Sequence, residues 1–520
     1  MRIDVSIPKM IRKALVRGSI VTLFFLSPVA SVNPASRLAV VDSILARGTV
    51  ATEGSPFFNS LDMVYVDGHF YSNKPPLLSF YSTAVVAPLH RIVTFTDPGW
   101  KILYFLIVLT SSGFSLLAIF LLLRTLRRRF GEDTLSLRWL FGAVVGATCV
   151  LPFARTYNDH IVEAAIALGV LVLLIRYHDE GAAWVPPVVG VLLGIVAVMH
   201  PLPGIVFGGL TLLYFALTLV PFGNPTPQAP ASKAWSRSVV SFTLAAVAVV
   251  GAGTGLHYLL FGMPASFYFT PELQIWAGVP GFPDSYWLND PSMPGLKADR
   301  IVTRFAELGI PGSTLDETLA LLSSYQNSVR NPFTYAVDRY FQYHQLSFSP
   351  LVVFCVLIGI KALRRPHWRY RTEWGWAILG VAGLYAATIY LRAVPGGSFG
   401  DRLLLPVLPL AVCAGAFALS TAGERYVFKT LVLVGIAMMA PGMIGPWTTP
   451  GPLFLWFNLG VNAVCLAGIA WFMTSSQAEQ VTTRWGNRAD LSGPFPVAAA
   501  FAAMVALQFA FYVPALQFSL

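Results

Sequence analysis

The sequence predicts an all-α polytopic membrane protein, a bundle of about thirteen transmembrane helices with juxtamembrane helices in its first outer loop. Composition comes first: hydrophobic residues fill 55% of the 520 positions and charged residues only 12%, outside the range of soluble globular domains. Apolar runs near twenty residues then recur from one end to the other, each long enough to cross a hydrocarbon core of about 30 Å. Finally, Lys and Arg gather in short segments between those runs: Arg124, Arg127, Arg128 and Arg129; Lys361, Arg364, Arg365, Arg369 and Arg371; Arg425 and Lys429. Positive loops of this kind are held on the cytoplasmic side. The net charge of +10 is therefore a topological signal, and no nucleic-acid partner is implied.

Thirteen spans follow, at 17–33, 100–123, 137–154, 161–176, 184–200, 203–220, 238–261, 346–363, 374–392, 403–421, 427–445, 452–474 and 494–515. The basic N-terminus (Arg2, Lys9, Arg12, Lys13, Arg17) sets the cytoplasmic start, and every later basic cluster then falls inside. The first run ends in small residues, Pro28 to Ser31, and reads as a membrane anchor, with a cleaved signal peptide as the other reading. One apolar stretch, 77–93, cannot be a span, because counting it would place Arg124–Arg129 outside. It is read as an interfacial or re-entrant helix. A partner helix is expected over 35–47, where Leu38, Val41, Ile44 and Leu45 recur at helical spacing. Three parts result: 1–261, an N-terminal transmembrane module whose first outer loop, 34–99, carries the chemistry; 262–345, a large extracytoplasmic loop or lid; and 346–520, the C-terminal helices. The lid is rich in Pro, Gly and aromatics and turns helical around Leu315–Leu322 and Phe333–Tyr343. Cys149, Cys355, Cys413 and Cys465 lie in or beside apolar runs and read as core residues, with no disulfide framework or metal site.

Charges near a membrane are costly and so mark candidate sites. Lys74 opens Lys74-Pro75-Pro76-Leu77, where two prolines stiffen the approach to an apolar helix. A cation so fixed suits a phosphate, and its bland reading is a snorkelling lysine. Asp62, Asp67 and His69 immediately precede it, with Tyr71 in between. Tyr157-Asn158-Asp159-His160 makes a tight outer turn whose Asp159 is either a helix cap or a general base. Arg155 stands beside it. Glu163, one turn further in, is a carboxylate that needs a partner. Pro395-Gly396-Gly397-Ser398-Phe399-Gly400-Asp401-Arg402 can present backbone N–H groups and a guanidinium to an anion. Asn33, Arg37, Asp42 and His200 complete the candidates. No HExxH, CxxC, P-loop or GxSxG pattern stands at a plausible place.

The order of these features resembles the GT-C class of integral membrane glycosyltransferases, nearest the bacterial branch of the lipid A aminoarabinose transferase and relatives of protein O-mannosyltransferase. The resemblance rests on Asn33–Gly48, Lys74-Pro75-Pro76-Leu77, Asp159 and Arg402-Leu403-Leu404-Leu405-Pro406, and covers most of 1–420. It implies a GT-C-like bundle in the inner membrane and a polyprenyl-phosphate-linked sugar as donor. It also implies a lipid, glycan or protein acceptor and inverting transfer at the extracytoplasmic face, with no cofactor; without a DxD-like outer motif, no divalent metal is required. Lys74 and Arg402, assisted by Arg37 or Arg155, would neutralise the donor phosphate. Asn33, Tyr71, His69, His160 and Gly397 would line the substrate. The chain departs from the family at Asn33-Pro34, where an acidic pair is usual, so either Asp159 is the base, or one of Asp42, Asp62 and Asp67 is brought in by the fold, or the acceptor needs little deprotonation. The alternatives are an O-antigen-ligase- or polymerase-like transferase using a diphosphate-linked donor, and a lipid or sugar transporter.

Overall fold

A computed structural model describes residues 32–58, 62–66, 69–131, 135–217, 232–263, 267, 344–365, 368, 370–390, 401–439, 442 and 452–488. The expected first and last spans, nearly all of the 262–345 segment, Asp67 and the glycines at 396–400 lie outside these residues.

Helix α1 (Val32–Arg47) and helix α2 (Leu77–His90) form where the two juxtamembrane helices were expected. Their apolar faces meet: Leu38 and Val41 of α1 pack with Leu78 and Val86 of α2 and with Tyr157. Pro75 and Pro76 precede α2, where a missing N–H costs nothing, and the helix runs to His90 despite Pro88 near its end.

Between α1 and α2 the chain is not all-α. Strands β1 (Met63–Val66) and β2 (His69–Ser72) form an antiparallel hairpin, with Met63 opposite Ser72 and Val66 opposite His69. β-Branched and aromatic residues (Val64, Tyr65 and Val66 before, Phe70 and Tyr71 after) flank Asp67-Gly68, a hairpin signal. Asn73 N–H donates to the Asp62 carbonyl at 3.0 Å, carrying the pairing one step beyond the strands.

Four helices among the described residues are long and apolar enough to cross a membrane: Trp100–Phe130, His160–Glu180, Arg237–Phe261 and Leu453–Thr474. The first, α3, contains a π-helical turn at Leu109–Gly113. Its Thr110, Ser111 and Ser115 hydroxyls donate back to carbonyls one turn earlier, competing with the α-helical ladder. Ser112 instead donates to the Thr156 carbonyl at 3.0 Å, so the irregular turn braces the segment around Thr156. The expected span 137–154 is broken. Helix α4 (Leu137–Phe141) continues into a π turn at Gly142–Gly146, and α5 (Val150–Ala154) starts afresh. Glycines at both ends of the π turn remove the side chains that would steady one helix.

Helix α6 (His160–Glu180) lies at the centre, packed against α3, against α7 (Val185–Met199) and against a 3₁₀ turn at Arg402–Val407. After His200 the chain turns into α8 (Pro201–Leu217). Helix α9 (Ser232–Phe261) lies along α7. The approach is close: a Cβ on Gly190 would lie 2.4 Å from the Phe242 carbonyl oxygen, and one on Gly194 2.8 Å from Val249 Cβ. Small residues let helices associate where lipid tails remove the hydrophobic drive between them. Helices α10 (Pro350–Leu363), α11 (Arg371–Tyr390), α12 (Leu408–Ala416), α13 (Ala422–Met438), α14 (Pro452–Thr474) and α15 (Ser476–Arg488) complete the described chain. All four cysteines are free thiols, three buried and Cys465 half-buried.

At the C-terminal end of α6, Asp179 accepts hydrogen bonds from Arg129 Nε at 2.5 Å and from the Tyr370 hydroxyl at 2.7 Å. Glu373 accepts from the Tyr214 hydroxyl at 2.6 Å and faces His178 at 3.1 Å. Phe130, Tyr370, Trp374 and Phe417 pack ring to ring beneath them.

Candidate active site

The N-terminal end of α6 is built differently. Arg37, one turn into α1, reaches across to the turn before α6 and pairs with Asp159, Nη2 to Oδ2 at 2.5 Å, both side chains 1% exposed. Asn33, one turn earlier, accepts from Arg37 Nε at 3.4 Å and so orients the guanidinium. Burial pushes the Asp159 carboxyl up, and Arg37, aided by His160 and His200, more than reverses this and holds it well below its ordinary range.

Lys74 is fixed by the turn that leaves β2. Its N–H donates to Ser72 Oγ at 3.2 Å, and Ser72 Oγ makes a short hydrogen bond with Ser36 Oγ of α1. Ser36 also donates to the Asp62 carbonyl at 2.7 Å. The buried Lys74 ammonium therefore stands 3.2 Å from Asp62 Oδ2, in a carboxylate that keeps 20% exposure. Burial pushes Asp62 up, yet Lys74 and Arg402, with hydrogen bonds from Lys74 and Asn73, hold it below its usual value. Burial pulls Lys74 down; Asp62 opposes this, while the like charges of Arg402 and Arg37 add to it. Arg402, Arg37 and Lys74 thus share one electrostatic neighbourhood, with Asp62 and Asp159 as counter-charges.

Arg402 opens the 3₁₀ turn from a stiff base. Asp401 caps it by accepting the Leu403 N–H at 3.0 Å, its N–H donates to Ser347 Oγ at 2.7 Å, and His344 stands 3.2 Å from its other oxygen. The Asp159 turn is held as firmly. The Tyr157 hydroxyl donates to the Leu78 carbonyl at 3.1 Å and accepts from Ser82 at 2.9 Å. Asn158 donates to the Phe153 carbonyl at 2.7 Å. These serine and tyrosine anchors give no sequence signal, since each partner lies on another element.

The remaining candidates separate. Arg155 sits by Tyr104, where burial pulls its guanidinium down to about 10 against a partial offset from Tyr104. Tyr71 turns away from Lys74 and packs edge-on against Phe261, ring centroids 5.0 Å apart. His69 is 60% exposed and faces Glu53 at 3.3 Å. Strand alternation explains both: Tyr71 and His69 share one face of β2, and the buried Phe70 and Ser72 share the other. Asp42 pairs with Arg47 at 3.0 Å, away from the cations. His160, on the first turn of α6, joins Glu163 and His200 in a buried group whose ligand-capable atoms all lie within 4.8 Å of one another. Asp67 and Gly397 fall outside the described residues.

No family model matches the sequence, and no curated protein matches it. Among solved structures the chain is similar to arabinosyltransferase EmbB from Mycobacterium smegmatis, at 14% identity and a TM-score of 0.49, over 98% of this chain and 42% of EmbB. It is similar to ArnT from Cupriavidus metallidurans bound to undecaprenyl phosphate, at 14% identity and a TM-score of 0.48, over 95% of this chain and 77% of ArnT. The archaeal oligosaccharyltransferase AglB from Archaeoglobus fulgidus, in complex with an inhibitory peptide and a dolichol-phosphate, follows at 15% identity and a TM-score of 0.43, over 91% of this chain and 56% of AglB. The chain thus spans less than half the length of EmbB. All three are glycosyl- or oligosaccharyltransferases of the GT-C class that the motif order resembles. Likeness at this level carries no argument about chemistry, which must come from the site.

Proposed function

We propose that the chain is a membrane glycosyltransferase that moves a sugar from a polyprenyl-phosphate donor to an acceptor at the extracytoplasmic face. The observation that carries this reading is the convergence of Lys74, Arg37 and Arg402, from three separate elements, about Asp62 and Asp159. Among the described residues, three cations against two carboxylates give the cluster one positive charge in excess, suited to a lipid phosphate.

In this reading the acceptor oxygen or nitrogen attacks the anomeric carbon and the bond to the phosphate oxygen breaks with inversion. Negative charge grows on the departing phosphate, where cations fixed in advance stabilise the transition state more than the ground state. Asp62 is the best-placed base, because it is ionised, partly exposed and beside Lys74. Asp159 is a positioning residue that holds Arg37. Its own proton-accepting capacity is taken up by the buried ion pair. Asn33 orients Arg37 from the other side. Arg155, Tyr71 and His69 belong to the surroundings of the site. In this reading the N-terminus is cytoplasmic, the protein lies in the inner membrane, and the expected thirteen spans set this cluster on the outer side.

Mass spectrometry of lipid that co-purifies with the protein tests the donor class. Polyprenyl monophosphate supports the reading, and diphosphate-linked lipid alone would replace it with the ligase- or polymerase-like one.

A further inference from the structure

One group of buried side chains is not used by the transfer reaction. Glu163 lies one turn into α6, fully buried, and His200 lies at the junction of α7 and α8. Glu163 Oε2 stands 3.2 Å from His160 Nδ1 and 3.9 Å from His200 Nδ1. The two imidazole rings meet edge to face, with centroids 5.3 Å apart. Two imidazole nitrogens therefore converge on one carboxylate oxygen, with all three residues at most 6% exposed.

Two further observations point to a ligand. Glu163 Oε1 accepts no hydrogen bond, although a buried carboxylate oxygen left bare is costly. The facing groups of Glu163 are imidazoles, which bring no fixed charge. The second is that the other edge of the His160 ring, Nε2, looks toward Asp159 Oδ1 at 3.9 Å, and that oxygen too accepts no hydrogen bond. A carboxylate behind the far nitrogen of a histidine is the usual support for an imidazole that binds a metal.

We propose that His160, Glu163 and His200 form a binding site for a divalent first-row transition metal of the zinc type. Two imidazoles and a carboxylate suit such an ion. Mg²⁺ and Ca²⁺, which take oxygen ligands, are disfavoured. Three protein ligands leave an open coordination position, and the metal supplies the positive charge that Glu163 lacks. The site lies on the side of His160 away from Asp159, so the ion does not touch the donor phosphate. It acts on the cation cluster by holding His160, hence Asp159, hence Arg37.

Cobalt(II) titration of the purified full chain in lipid nanodiscs tests this without any transfer assay, so its outcome is separate from that of the proposed activity. The wild type should take up one Co²⁺ per chain with visible ligand-field absorption that Zn²⁺ displaces. Glu163→Gln and His200→Gln should each weaken binding at least about tenfold, and Asp159→Asn should weaken it by a similar or smaller factor. His178→Ala, at the other end of α6, should bind as the wild type does. Absence of the absorption in the wild type overturns the proposal, as does absorption retained by whichever of the two glutamine variants keeps a monodisperse elution profile. Loss of binding in His178→Ala alone would also overturn it.

Discussion

Asp159 and Asp179 stand at opposite ends of α6, about 30 Å apart by helix rise, and the two ends handle charge in opposite ways. At the Asp179 end, Arg129 is 30% exposed and Asp179 13% exposed, two donors meet one carboxylate, and an aromatic stack packs beneath. Glu373, buried there, takes a tyrosine hydroxyl and a histidine that is 45% exposed. Both partners of the Asp179 pair keep some exposure, although Glu373 Oε2 beside them accepts no hydrogen bond. At the Asp159 end the ion pair is sealed, a second pair lies beside it, and two carboxylate oxygens accept nothing. The first arrangement joins helices. The second is costly for a joint alone and is kept where charge must be ready for a ligand.

Removing one sealed charge should have the largest effect. Asp159→Asn leaves Arg37 buried without its counter-charge, and a loss of about 3–5 kcal/mol is expected, read as a lowered melting temperature in detergent. Arg37→Met combined with Asp159→Leu should recover most of that stability without recovering transfer. Recovery of both would make the pair a joint like the other end. Next, Lys74→Ala should lower turnover of a polyprenyl-phosphate sugar by about 10²–10³ with folding intact. Wild-type turnover in a folded Lys74→Ala protein would remove the cation cluster from the mechanism.

The acid limb gives a smaller effect. Asp62 is held below its ordinary value of 3.8, so the stability that its pairing with Lys74 contributes is present above that value. It is lost only as pH falls through the lower folded one. Melting temperature and transfer rate should therefore show no limb from Asp62 between pH 7 and pH 5. An activity limb near pH 6 would assign the base elsewhere. The smallest effect lies at the far end. Tyr370→Phe removes one hydrogen bond to Asp179 and should cost about 1 kcal/mol, with transfer unchanged within twofold.

The two juxtamembrane helices were legible because their evidence is local. Leu38, Val41 and Ile44 set a helical period, and Lys74-Pro75-Pro76 marks the start of the second. The hairpin between them carries its signal in Asp67-Gly68 and flanking aromatics, which a membrane-wide count of apolar runs passes over. Tyr71 and His69 neighbour Lys74 in sequence, but a strand sends alternate residues to opposite faces, so nearness in sequence separates them in space. Asp159 drew notice as a turn carboxylate, yet its partner Arg37 lies 122 residues away. Glu163 was visible as a carboxylate in need of a partner, and His200 as a minor candidate. Nothing in their spacing shows that α7 returns to α6 just where the two can meet.

The close seam between α7 and α9 has a consequence for that meeting. Gly190 and Gly194 let α9 lie against the backbone of α7, and α7 ends at His200. The depth of His200 beside Glu163 is thereby set partly by two residues with no side chain, two to three turns away. An alanine at Gly190 would push the helices apart and tilt the end of α7 without altering any charge. The chemistry of the α6 end can then be detuned from a buried, apolar helix seam where no titratable group stands.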